Sequence, residues 1–175
     1  GVSEAAITIL KPGVSPLFRP PDEVGQESDK TRFLYVGDLT DYKGYGLFLQ
    51  ALHSIRDEVK FEAVVIGSGD PRLDQLEDLN IREDVHIKGF VERSDLPEYY
   101  QKSDFYVMPS VDEHGPNTII EALACGTPVL STDKPGINEY IPQGAGLHFE
   151  RSVDGLRSAM LAANERKNQI RQAAL

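Results

Sequence analysis

Two carboxylates, Glu113 and Glu121, stand in Glu-x7-Glu spacing around a Gly115-Pro116-Asn117 step in SVDEHGPNTIIEALACGTPVLST, residues 110–132. Pro116 suits the first position of a helix, where its missing N–H costs nothing. Asn117, Thr118 and Ile119 then offer free backbone amides at the positive end of the helix dipole, which is the chemistry of an anion site. Helical spacing places Ile119, Ile120, Leu123 and Ala124 on an inward stripe and Glu121 on the other side, about a turn after Asn117 and Thr118. There Glu121 could accept hydrogen bonds from a ligand's hydroxyls, while Glu113 in the preceding loop faces whatever carries the anion. Spacing alone leaves a second reading equally open, in which Glu121 is a solvated helix residue and Glu113 a loop acid.

Two Gly-bearing turns offer further anion contacts. In VGDLTDYKGYG, residues 36–46, Gly37 and Gly44 flank a loop with Lys43 just before a helical pattern. Glycine allows close approach of backbone to ligand, and a lysine beside a helix start is a natural phosphate contact. Taken alone, this is equally a surface loop with a solvated lysine. IGSGDPRL, residues 66–73, brings Gly67 and Gly69 to another strand-to-helix turn but lacks the G-x-G-x-x-G spacing of a dinucleotide fingerprint. His114 either contacts the ligand or is a plain loop histidine. His53, His86 and His148 have no ligand-like spacing and read as structural; Cys125, in an Ala-Cys-Gly-Thr setting with no adjacent base, reads as a small core residue.

The elements that must hold these residues alternate. Strand patterns fall at 32–37, 61–67, 85–90, 105–110, 128–132 and 146–150, and helical patterns at 44–57, 70–79, 95–102, 116–125, 137–141 and from 152 to 168 and onward. Such alternation predicts an α/β fold, a Rossmann-like, mainly parallel sheet with helices on both faces. Ligands in such sheets bind beyond the carboxyl ends of the strands, where the candidate anion contacts fall. The division expected is an N-terminal connector and incoming strand over 1–30 and a Rossmann-like domain over 31–175. The last helical pattern has no stop signal, so the chain reads as part of something longer.

With 40% hydrophobic residues in 175, the chain can bury one substantial core. Its formal charge of −10 repels nucleic acid and anionic lipid, which are excluded as first expectations. One cysteine rules out an internal disulfide framework and a cysteine metal cage, and makes a reducing, cytoplasmic compartment the simplest assignment. No apolar run reaches the roughly 18 residues of a membrane span.

The run SVDEHGPNTIIEALACGTPVLSTDKPGINEYI resembles the signature of retaining glycosyltransferases of the GT-B fold, the large family 4 group. The resemblance continues through KPGVSPLFRP, FLYVGDLTDYKG, VVIGSGDP and VHIKGFVERSDLPEYYQKSDFYVMPS, covering about residues 10–142 in unbroken order. It implies the C-terminal, donor-binding half of a two-domain enzyme that moves a sugar from a nucleoside-diphosphate sugar to an acceptor. The other partner is then the N-terminal acceptor domain, through which any membrane association would run. No cofactor or metal is implied, because the nucleotide sugar is a substrate.

By the same resemblance Lys43 contacts the donor diphosphate and the amides of His114, Gly115, Pro116, Asn117, Thr118 and Ile119 surround the distal phosphate. Pro116 itself can supply no N–H. Glu121 holds the ribose hydroxyls, Glu113 lies beside the donor sugar, and the backbone at Phe90 and Val91 meets the base. Gly37, Asp38, Gly67 and Gly69 complete the donor site, with Glu113 and Lys43 as the catalytic pair. One departure stands out: the family's Gly-Arg is Gly37-Asp38 here, an acid where a phosphate-binding cation is usual. That substitution motivates an alternative function, a catalytically degenerate transferase-like module used for binding or scaffolding.

Overall fold

The computed structural model describes residues 13–22, 28–111 and 117–174. Strands β1 (Thr31–Val36), β2 (Phe61–Ile66), β3 (Val85–Gly89), β4 (Phe105–Met108), β5 (Val129–Thr132) and β6 (Gly146–Phe149) form one parallel sheet in the order β3-β2-β1-β4-β5-β6. The chain winds outward from β1 to β3, then crosses back to β4 and winds the other way. This is the Rossmann-like α/β arrangement, with its switch point between β1 and β4.

Strand alternation divides the core between two faces. Phe33, Tyr35, Ala63, Val65, Phe105, Val107 and Leu130 point to one face, where α1 (Tyr45–Ile55) and α6 (Val153–Glu165) cover them. Leu34, Val64, Ile66, Tyr106, Met108 and Val129 point to the other, under α3 (Leu96–Gln101), α4 (Asn117–Ala124) and α5 (Pro135–Asn138). Helix α1 buries Tyr45, Phe48, Leu49, Leu52 and Ile55, the i, i+3, i+4, i+7 stripe of an amphipathic helix. Full burial of each such side chain is worth about 1.5–3 kcal/mol against exposure, so the doubly covered β4, with every residue buried, anchors the sheet.

Several boundaries differ from the sequence expectation, each for a local reason. Helix α2 (Leu73–Asp78) begins three residues after Asp70, because Arg72 takes a left-handed conformation at φ 53 just before it. Strand β3 stops at Gly89, which leaves Phe90 outside the sheet and 72% exposed. The C-terminal helix breaks at Arg166 into α6 and α7 (Lys167–Ala174). Both Lys167 and Arg171 pair with the Asp104 carboxylate, at 2.9 and 3.2 Å, and Ile170 enters the core; those contacts require the chain to turn.

Candidate functional site

A cavity of ≈ 220 Å³ opens at the carboxyl ends of β1 and β4, at the switch point. Tyr35, Val36, Gly37 and Lys43 line it from the β1 side; Tyr106 to Ser110, Asn117 and Thr118 line it from the β4 side. Four residues singled out from separate stretches of the sequence, Gly37, Lys43, Asn117 and Thr118, therefore share one wall-to-wall site.

The loop carrying Lys43 is fixed at both ends. The buried Tyr35 hydroxyl donates to the Asp38 carbonyl at 2.7 Å, while its ring packs on Phe48 and Tyr45. Arg72 donates to the Asp41 carboxylate at 2.8 Å and lies over the Tyr45 ring. Arg151 donates to two carbonyls, Asp41 at 2.8 Å and Pro109 at 3.1 Å, and so ties the loop to the end of β4. The Val111 amide completes the join by donating to the Tyr42 carbonyl at 2.8 Å. At the base of the cavity the Tyr106 hydroxyl donates to Thr118 Oγ1 at 2.8 Å, linking β4 to the start of α4.

The turn after β2, with Gly67 and Gly69, supports this wall without lining it. A Cβ on Gly67 would lie 1.8 Å from the Gly37 carbonyl oxygen, so glycine at 67 is what lets the two strand ends touch. Gly69 packs beside Leu39, and the Leu39 amide donates to the Ser68 carbonyl at 2.8 Å. Asp38 is exposed and does not line the cavity, nor do Phe90 and the half-buried Val91. Ile119 is buried in the core under α4. Glu113, His114, Gly115 and Pro116 lie outside the described residues.

Glu121 corrects the helical-wheel expectation. Helical spacing puts it on the side away from the inward stripe, yet it is 4% exposed and shares the buried face of α4 with Ile119 and Ala122, while Ile120, Leu123 and Ala124 are only half-buried. The reason is the packing of α3 beside α4: Tyr100 covers the Glu121 side, and Arg93, in the loop after β3, donates to Glu121 Oε1 at 2.5 Å to compensate the charge. Burial pushes the Glu121 carboxyl above its ordinary value, against the pull of Arg93 and of the Tyr100 hydroxyl. The phenol of Tyr100, fully buried, is raised well above its usual value by burial first and then by Tyr106 and Glu121. Its hydroxyl forms no well-aligned hydrogen bond among the described residues, yet it lies near enough to Glu121 for each group to shift the other.

Sequence reasoning did not find Tyr35, Tyr106, Arg93 or Arg151. The two tyrosines carried a usable signal, since a phenol amid aliphatic strand residues needs a polar partner at the strand's end. The two arginines carried none; each reaches partners at least 28 positions away in sequence.

The profile of the family described as glycosyl transferases group 1 matches residues 20–175. The chain belongs to this family. It is 37% identical over 122 residues to an uncharacterized glycosyltransferase of Methanocaldococcus jannaschii, an overlap of 67% of this chain and 31% of that protein. The fold is shared with the crystal structure of WaaG, a glycosyltransferase involved in lipopolysaccharide biosynthesis, at a TM-score of 0.81 and 23% identity over 98% of this chain and 51% of that one. It is shared also with Anabaena HepE in complex with UDP, at a TM-score of 0.72 and 20% identity over 83% of this chain and 42% of that one. The chain thus spans about a third of the length of the curated relatives it matches, 31%, 30% and 38% for three of them. Among the described residues no helix is long and apolar enough to cross a membrane, and no cluster of His, Cys, Asp and Glu could hold a metal.

Proposed function

We propose that this chain is the C-terminal, donor-binding half of a retaining family 4 glycosyltransferase and that the cavity at the switch point holds the diphosphate of a nucleoside-diphosphate sugar. The observation that carries the reading is the convergence of Lys43 with Asn117 and Thr118, at the start of α4, on one cavity. A lysine and free helix-start amides are complementary to a diphosphate, and they bind it more strongly as negative charge builds on the departing group. Glu121, beyond the start of α4, takes the ribose hydroxyls. Glu113 and the His114 to Pro116 backbone sit beside the donor sugar and distal phosphate by family resemblance. The base lies near Phe90 and Val91.

Leaving-group stabilisation in this scheme needs only the lysine and the amides. The acceptor and a catalytic base come from an N-terminal domain, so the isolated chain binds nucleotide weakly and transfers nothing. The degenerate-module alternative rested on Asp38 repelling phosphate; its carboxylate is exposed and outside the cavity, which weighs against that alternative.

Calorimetry with UDP, GDP and their hexose conjugates tests the donor site. Binding by the wild type, weakened at least about tenfold by Lys43→Ala through loss of one charge-assisted contact, is expected. Absence of binding to every nucleotide, or Glu121→Ala behaving as wild type, overturns the assignment.

A further inference from the structure

We infer that Arg93 is a positioning residue for ribose recognition, holding the Glu121 carboxylate in one fixed orientation for the sugar hydroxyls of the nucleotide; this rests on the assignment of Glu121 to the ribose. The geometry is asymmetric. The Glu121 side chain is 5% exposed whereas that of Arg93 is 61% exposed, and one short bond from Arg93 Nη2 to Glu121 Oε1, 2.5 Å long, joins them. Arg93 is itself mounted on the ring of Phe18, with its guanidinium carbon 5.5 Å from the centroid. Phe18 is buried and meets Tyr100 edge-on at 6.1 Å. Three segments distant in sequence, the incoming segment around Phe18, the loop after β3 and helix α4, thus converge on a single carboxylate.

A structural role alone accounts poorly for this arrangement. Replacing a buried ion pair by apolar residues is often neutral or stabilising, and the buried face of α4 is otherwise Ile119 and Ala122. A carboxylate there is costly unless it serves something outside the fold, and a flexible carboxylate would lose rotamer entropy again on meeting a ligand. Arg93 removes that second cost in advance. Among the described residues the groups that face Glu121 are Arg93 from the loop and Tyr100 from α3, with Cys125 one turn on, just past the end of α4; of these only Arg93 brings positive charge.

The test is the preference for a ribonucleotide over its 2′-deoxy counterpart, measured by calorimetry with UDP against dUDP and GDP against dGDP. Wild type is expected to favour the ribo form about tenfold, the worth of one hydrogen bond to a charged group. Arg93→Ala should bring the ratio to within about twofold while changing affinity for the deoxy form by less than about threefold, and Arg93→Lys should restore part of the preference. Phe18→Leu, which keeps the core filled but removes the ring, should lower the ratio in the same direction and serves if Arg93→Ala does not fold. A wild type that binds no nucleotide, or binds ribo and deoxy forms alike, removes the Glu121 assignment and this role with it. A wild type that discriminates, with variants that keep the ratio or lose both affinities equally, overturns the role of Arg93 and leaves the Glu121 assignment standing.

Discussion

The backbone of Gly44 rests against the carbonyl of Pro109 so closely that a Cβ on Gly44 would lie 2.2 Å from that oxygen. This contact brings the start of α1 onto the end of β4, and with it Lys43 to the same cavity as Asn117. Gly44 also holds φ 77, a left-handed conformation that other residues enter only with strain.

Gly44→Ala therefore meets two independent penalties, strain and a clash with backbone that has no free end to move. A loss of about 2–4 kcal/mol in chemical denaturation is expected. Gly136→Ala, at a glycine with open space around its Cβ position and no left-handed φ, is the control and should change stability by no more than about 0.5 kcal/mol. Equal effects at the two positions would refute the close-approach argument.

Arg151 is the other tie between the Lys43 loop and β4. Because the side chain is largely exposed, solvent screens its bonds to Asp41 and Pro109, and Arg151→Ala should cost only about 1 kcal/mol of global stability. Its larger effect should be local. Hydrogen exchange at the Val111 amide, which spans the same join, should accelerate several-fold more than exchange in β2, and Arg151→Lys, which reaches one carbonyl instead of two, should fall between. Uniform acceleration across the sheet would show that Arg151 stabilises the fold without organising the loop.

Most of the fold was legible because apolar periodicity and Gly or Pro punctuation mark elements that are local in sequence. The six strands expected between residues 32 and 150 formed, and β4 and β5, read as continuous apolar runs, are fully buried; the incoming strand expected within 1–30 falls largely outside the described residues. Periodicity failed where a long-range partner decided the outcome. The break at Arg166 follows from Asp104, more than sixty positions away, and the inward turn of Glu121 follows from Arg93 and Tyr100 on other elements. The cavity wall was half legible for the same reason: Lys43, Gly37, Asn117 and Thr118 sit at strand or helix ends that local pattern identifies, whereas Arg151 is set by tertiary packing alone.

Cys125 should be silent in the native protein. It is 1% exposed, and burial pushes its thiol up to about 11, with the Glu121 charge adding to that shift. A thiol reagent at pH 8 should label it only after denaturant is added. Since the folded state prefers the neutral thiol, stability should fall as pH rises past the unfolded thiol value of about 8.5 toward 11, and Cys125→Ala should lack this part of the slope. Rapid labelling in native buffer would contradict the buried placement.

Asp104 offers the sharpest test of how the C-terminal helix is held. Nearly buried, it accepts from the Arg32 amide at 2.8 Å and pairs with both Lys167 and Arg171, so its charge is compensated from two sides on α7. Asp104→Asn keeps the size but removes the charge, leaving Lys167, whose side chain is 19% exposed, without its partner. Breaking a partly buried pair in this way should cost about 2–4 kcal/mol. The damage should concentrate on α7: limited trypsin digestion should cut first at Arg166 or Lys167, and the core strands should keep their exchange protection until global unfolding. If Lys167→Met and Arg171→Met together with Asp104→Leu restore wild-type stability, the network contributes charge matching rather than irreplaceable energy, as expected when apolar contact substitutes for a buried ion pair. Unaltered proteolysis in Asp104→Asn would instead mean that Ile170 alone docks the helix.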